Sequence, residues 1–171
     1  GVGCGRGGGL GRRIAADISE ARWLVVGRGF QGEEQRLANQ LEQIGLREKV
    51  VFAGWVAPEA LPAYFAAANV AIFPYNDTLI NRSKCSVKLI DLLAAGVPVV
   101  ADAVGQNCEY IQAESSGILV PAEDDEAFER ALLDLLRNPQ KQAALGQTAA
   151  RHVREKFNWL NLSQIAEQAY R

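Results

Sequence analysis

Methionine is absent from these 171 residues, histidine occurs once and cysteine three times. A reading frame translated from its start opens on Met, whereas this sequence opens on Gly1, so the expectation is a fragment or an excised domain. The cysteines (Cys4, Cys85 and Cys108) are odd in number and lack CxxC spacing; with His152 alone beside them, they argue against a Cys/His zinc site. Reduced thiols in a cytoplasmic protein fit them better than a disulfide framework. No run of about 18 apolar residues is present, which argues against a membrane-spanning helix. The start lacks the charged-then-apolar order of a signal peptide. A formal net charge of -2 is not the footprint of a nucleic-acid module, so no nucleic-acid partner is expected. No carboxylate cluster suits Mg²⁺, and neither a metal nor a cofactor is expected.

What is present suits one globular domain: 49% of residues are hydrophobic and 22% charged. Residues 1–11, GVGCGRGGGLG, hold seven of the 16 glycines. Glycine loses the most backbone freedom on ordering and buries nothing, so this segment is expected to be disordered, with the domain running from 12 to 171. Beyond it, apolar runs at 23–27, 49–53, 69–73, 97–101 and 117–120 read as strands. Helical patterns lie at 10–18, 33–44, 58–68, 86–95, 107–112, 124–137, 139–157 and 160–170. Near-continuously apolar strands alternating with helices imply an α/β fold with a doubly wound, Rossmann-like parallel sheet. Ligands of such sheets bind beyond the carboxyl ends of the strands, which singles out loops 27–32, 54–57, 74–86 and 102–107.

Gly27, Gly29 and Gly32 form GxGxxG between a strand and a helix, the context of a dinucleotide fingerprint. That fingerprint also needs an acid at the end of the next strand, and here the strand ends Ala53-Gly54-Trp55. A nicotinamide-dependent oxidoreductase domain therefore stays only as an alternative, against a plain glycine turn. Gly3, Gly5 and Gly8 match the same expression with no strand before them, which is glycine richness.

The segment from Asn81 to Val100 carries more. Ser86 is a plausible N-cap, and Arg82, Lys84 and Lys88 surround that helix start. Free amides, helix dipole and cations then converge as a diphosphate requires. Leu89, Ile90, Leu92 and Leu93 bury the helix, leaving Lys88 and Asp91 as its one polar edge. These two either pair with each other on the surface or present their charges to a ligand.

At this point the sequence resembles the C-terminal domain of the group 1 retaining glycosyltransferases of GT-B fold. The family's VGxG turn is similar to Val26-Gly27-Arg28-Gly29, and its V-x-F-x-G-x-V strand and loop to Val50 through Val56. Its ELPxxYxxADVxxxPS stretch resembles Ala60 through Pro74, and its LEAMAxGxPVV resembles Leu89 through Val100. Its GGxxExI and GxLVPxxD stretches resemble Gly105 through Ile111 and Gly117 through Asp124, and its F-x-W resembles Phe157-Asn158-Trp159.

The resemblance implies a nucleotide diphosphate sugar as donor and glycosyl transfer as activity. Asp91 takes the place of the acid that contacts the ribose. Gly54, Trp55 and Val56 would lie beside the base, Ser86 and Val87 would offer amides to the diphosphate, and Gly27 and Gly29 would line the donor cleft. Lys88, Lys84 and Arg82 are the candidates for stabilising the leaving diphosphate, with no metal needed. Two departures stand out: Ser83 occupies the place of the family's sugar-holding acid, and the domain's first strand and its Arg…Lys loop have no counterpart. A non-catalytic nucleotide-binding or regulatory module is therefore a second alternative. Acceptor recognition, and any peripheral association with the inner face of the membrane, would belong to an N-terminal domain absent here, against which helix 157–171 would pack. His152, far along the chain from every site loop, is expected at the surface or core edge.

Overall fold

The computed structural model describes residues 4–29 and 31–170. The chain divides into two compact units, Gly1–Tyr64 and Phe65–Arg171.

In the first unit, helix α1 (Cys4–Asp17) precedes strand β1 (Trp23–Val26), helix α2 (Glu33–Gln43) and strand β2 (Val50–Gly54); Pro58–Ala60 then forms a tight turn at the start of α3 (Leu61–Ala66), which runs across the unit boundary. β1 and β2 pair in parallel, Trp23 beside Val50 and Val26 beside Gly54, with an irregularity at Val25/Val26. α1 corrects the expectation of disorder over 1–11: from Cys4 the glycine-rich stretch is helical, while residues 1–3 lie outside the described residues. Each helical glycine costs about 1 kcal/mol relative to alanine, so tertiary packing supplies the offset. Ile14 is buried, and Gly11 packs against Leu46, whose Cδ1 would lie 2.8 Å from a Cβ at that position. Among the described residues no strand precedes β1.

The second unit orders as β3 (Ala71–Phe73), α4 (Leu79–Arg82), α5 (Val87–Ala94), β4 (Val99–Asp102), α6 (Asn107–Tyr110), β5 (Ile118–Val120), α7 (Asp125–Leu136), α8 (Pro139–Lys156) and α9 (Trp159–Ala169). Its sheet is parallel in the order β3-β4-β5. Every residue of the central strand β4 is buried, which explains its unbroken apolar run as far as Asp102. Leu89 and Leu93 of α5, Val99 and Ala101 of β4, Tyr110, Ile111, and Ala149 and Val153 of α8 form one core.

The class is α/β with parallel strands and intervening helices. Within the first unit the strands pair as a two-stranded parallel ladder, and within the second as a three-stranded one. Apolar runs report that strands are covered, but not which strands share hydrogen bonds. α4 was not anticipated; its one local signal is Thr78, whose Oγ1 accepts from Asn81 N at 3.2 Å as an N-cap. α9 leaves Trp159, Leu160 and Ile165 exposed. Among the described residues no helix is long and apolar enough to cross a membrane.

Candidate functional site

In the second unit the loop after β3 and the start of α5 border an open cleft of about 280 Å³, lined by Tyr75, Lys84, Cys85, Ser86, Val87 and Lys88. Ser86 is the N-cap of α5: its side chain accepts from Leu89 N at 3.3 Å, and the Val87 and Lys88 amides precede the first intrahelical hydrogen bonds. Val87 at the first helical position is 63% exposed. Lys88 and Asp91 are both exposed, and neither has an ion-pair partner among the described residues. The surface pairing considered from the sequence is therefore absent. Asp91 stands one position short of a full turn beyond Lys88 and is not among the residues lining the cleft.

Lys84 is held from two sides. Its Nζ donates to Asn81 Oδ1 at 2.6 Å and lies 5.1 Å from the centroid of the Tyr75 ring. Arg82 is placed otherwise than the sequence suggests. Its guanidinium forks onto Asp77, Nε to Oδ1 at 2.5 Å and Nη2 to Oδ2 at 2.6 Å. The hydrogen bond and charge of Arg82 hold the Asp77 carboxyl below its ordinary range, and Asp77 in turn raises Arg82. An arginine so engaged is a structural clamp over α4 before it is a ligand for an anion. Ser83 closes α4, its hydroxyl donating to Ile80 O at 3.1 Å.

Two residues of loop 102–107 that were not named individually as site residues fix the loop after β3. Asp102, fully buried at the end of β4, accepts from Tyr75 N at 2.6 Å and so ties the loop after β3 to the neighbouring strand. A carboxylate ending an apolar strand run was the available signal. Gly105 is the second. At φ +53° it packs against the end of α4, and a Cβ there would meet Arg82 O at 2.5 Å and Arg82 Cα at 2.8 Å. Gly105→Ala is therefore expected to displace α4 and Lys84, costing about 2 kcal/mol of stability. A melting curve checks the stability, and an unaltered affinity for anions at the cleft would refute the displacement.

Beneath the cleft, Cys85 Sγ and the Tyr110 hydroxyl are 3.0 Å apart, and Tyr110 donates to Gln106 Oε1 at 2.9 Å. Burial first, then the contact with Cys85, pushes the Tyr110 phenol up to about 12, so it stays a donor at all ordinary pH. His152 lies edge-on to Phe157 at 5.7 Å, and burial lowers its pKa; its place is the core edge.

In the first unit, Gly27 and Gly54 meet at the carboxyl ends of β1 and β2, where Gly27 N donates to Gly54 O at 2.7 Å. Both have positive φ, +126° and +66°. Trp55 follows, 67% exposed, with Val56 partly buried beside it in sequence. The GxGxxG turn ends in a way unsuited to a pyrophosphate. Glu33 Oε2 accepts from Gln31 N at 2.7 Å at the start of α2, so a carboxylate stands where a phosphate would bind. That hydrogen bond is also the main reason the Glu33 pKa is lowered. A Cβ on Gly29 would lie 2.4 Å from Glu33 Oε2, so this close approach is what the glycine permits. Among the described residues no three His, Cys, Asp or Glu side chains gather as metal ligands would.

Residues 10–138 match the family described as Glycosyl transferases group 1. The chain belongs to that family. Among the group 1 glycosyl transferases it is 33% identical over 137 residues to the D-inositol 3-phosphate glycosyltransferase of Streptomyces avermitilis, covering 80% of this chain and 27% of that protein. It is 31% identical over 150 residues to the GDP-mannose-dependent alpha-(1-6)-phosphatidylinositol monomannoside mannosyltransferase of Mycolicibacterium smegmatis, covering 86% and 38%. Among solved structures, sucrose-phosphate synthase from Thermosynechococcus elongatus superposes with a TM-score of 0.78 at 29% identity, over 96% of this chain and 43% of that one. Anabaena HepE, solved with UDP and glucose, has a TM-score of 0.73 at 21% identity, over 99% and 46%, and shares the fold. The chain thus spans between a quarter and two-fifths of the length of these two glycosyltransferase relatives.

Proposed function

We propose that this chain supplies the donor-binding part of a glycosyltransferase and holds a nucleotide diphosphate sugar, with the diphosphate at the start of α5. The observation that carries this reading is the cleft itself: Lys84, Ser86 and Lys88 line it together with the first turn of α5, and no acid does. Cations and uncommitted amides aimed at one spot favour an anion whose charge grows as the bond to the sugar breaks. In the reaction so read, the bond between the anomeric carbon and the diphosphate oxygen breaks. The acceptor hydroxyl then forms the new glycosidic bond and gives up its proton to the departing diphosphate oxygen. Lys84 and Lys88 stabilise the departing nucleoside diphosphate, Ser86 and Val87 offer backbone amides, and Asp91 takes the ribose hydroxyls. Gly27, Gly29, Gly54, Trp55 and Val56 are proposed for the nucleoside side of the donor. Arg82, engaged by Asp77, acts through α4. The exposed apolar face of α9 is proposed for contact with an acceptor-binding half. The names of the relatives, among them a GDP-mannose-dependent enzyme, support a nucleotide-sugar donor.

A second reading, a non-catalytic nucleotide-binding module, is favoured by one observation: Ser83, in the place of a sugar-holding acid, has its hydroxyl committed to Ile80 O. Titration tests the nucleotide site that both readings share. UDP, GDP and ADP are each added to the folded chain and its melting temperature followed. At least one is expected to raise it, by about 2.7 kcal/mol of stabilisation at a hundredfold excess over Kd. Asp91→Ala should reduce the affinity for the matching nucleoside and its diphosphate alike. If none of the three nucleotides shifts the transition, the donor-site reading is wrong. Sugar release from the matching nucleotide sugar in the full-length protein distinguishes the transferase from the module.

A further inference from the structure

We propose that Asn81 is a positioning residue, which holds the Lys84 ammonium across the Tyr75 ring in the cleft and so fixes one N–H for the leaving diphosphate. The proposal rests on reading the cleft as a diphosphate site.

Every polar group of the Asn81 side chain is committed. Its Nδ2 donates to Asn76 O at 2.9 Å, and its Oδ1 accepts from Lys84 Nζ at 2.6 Å. The amide can stand only one way round, because a flip would set its NH₂ against an ammonium and its oxygen against a carbonyl. The short helix that carries Asn81 is tied at both ends. Thr78 caps its start, the Asp77–Arg82 fork spans its length, and the backbone of Arg82 abuts Gly105.

The other wall is equally fixed. Tyr75 N donates to the buried Asp102, and the Tyr75 ring lies edge-on to Phe73 with centroids 6.3 Å apart. The Lys84 ammonium is therefore set between a carbonyl oxygen and an aromatic face. An ammonium has three N–H groups; the amide oxygen takes one and the ring face attracts another, which leaves one for a ligand. A lysine on a free four-carbon stem must be ordered when it binds an anion. Here the ordering is already in place, so more of the interaction is retained as affinity.

This clamp is separable from a merely structural role of Asn81. In the ligand-free chain, amine acylation by N-hydroxysuccinimidyl acetate is followed at each lysine by peptide mass spectrometry. Asn81→Ala is expected to speed labelling of Lys84 by about threefold while leaving Lys88 unchanged, and Asn81→Asp, which restores an acceptor, to return it towards the original rate. Binding of whichever of UDP, GDP or ADP the chain accepts is expected to weaken about fivefold in Asn81→Ala, with the affinity for the corresponding uncharged nucleoside unaltered. In a Lys84→Met background, Asn81→Ala should cost nothing further, because the two act as one unit. Unchanged labelling of Lys84, or losses that add in the double variant, would overturn the proposal. A chain that binds none of the nucleotides but does show the labelling change overturns the diphosphate reading, and with it the ligand assigned to Lys84, while locating the failure outside the clamp.

Discussion

Gly146→Ala is expected to lower the melting temperature by about 6–12 °C, corresponding to a loss of about 3 kcal/mol. The reason is a backbone-to-backbone contact in the core of the second unit. A Cβ built on Gly146 of α8 would lie 2.1 Å from Gly96 O and 3.1 Å from Gly96 C, distances that no rotamer can relieve. Gly96 cannot easily retreat. It ends α5 at φ +76°, with its N–H bonded to Leu93 O at 3.0 Å and the next N–H, of Val97, bonded to Leu92 O at 3.0 Å. Leu93 and Ala149, both fully buried, belong to the core that α5 and α8 share. Relief therefore means shifting α8 away from α5, which opens that core, or unwinding the end of α5. Gly45→Ala is the comparison. Gly45 has φ +71° but open space around its Cβ position, so that variant should show backbone strain alone, about 1 kcal/mol. Equal losses for the two variants would mean that α8 slides freely on α5, and the close contact would have no energetic weight.

Lys88→Met is expected to weaken nucleoside diphosphate binding about tenfold, while the affinity for the uncharged nucleoside is retained. Lys88 lines the cleft from the first turn of α5 and is exposed, with no ion-pair partner among the described residues. Its charge is thus available to a ligand without the cost of breaking an existing pair. Arg82 provides the contrast. Because Asp77 holds it in a two-point fork, replacing it should disturb α4 and stability more than it disturbs ligand charge. Salt offers an independent check. An exposed lysine acting on a diphosphate is screened, so binding by the original chain should fall more steeply between low and physiological ionic strength than binding by Lys88→Met. Parallel salt dependences would remove Lys88 from the site.

Local signals account for most of what was readable in advance. Ser86 and Gly96 bracket α5 through capping chemistry that acts within one turn of the helix, and the structure has both ends where that chemistry puts them. The strands were legible because burial on both faces demands unbroken apolar runs, as at Val99–Asp102. Gly27 and Gly54 were legible as turns because a positive φ strongly favours glycine. The first helix was legible from residue 10 onward but not over residues 4–9. Composition argued for disorder there, whereas Gly11 packs against Leu46, which lies 35 positions away in sequence. Local composition cannot register a contact at that separation.

The sequence by itself determined the α/β class, the places of most elements, the family and the chemical character of the α5 start. The class, the elements and the α5 start rest on periodicity and on residue types acting over one to four positions, whereas the family rests on an ordered series of motifs from Val26 to Trp159 that resemble its own. The tertiary structure decided which charges were available to a ligand: Arg82 goes to Asp77, Lys84 is clamped by Asn81 and Tyr75, and Lys88 and Asp91 stay apart. It also decided that Asp102, 27 residues away, anchors Tyr75, and that Gly105 and Gly146 are places where one backbone touches another. A charged side chain can reach several partners, and which it takes depends on ångström-scale distances between segments that only the folded chain brings together.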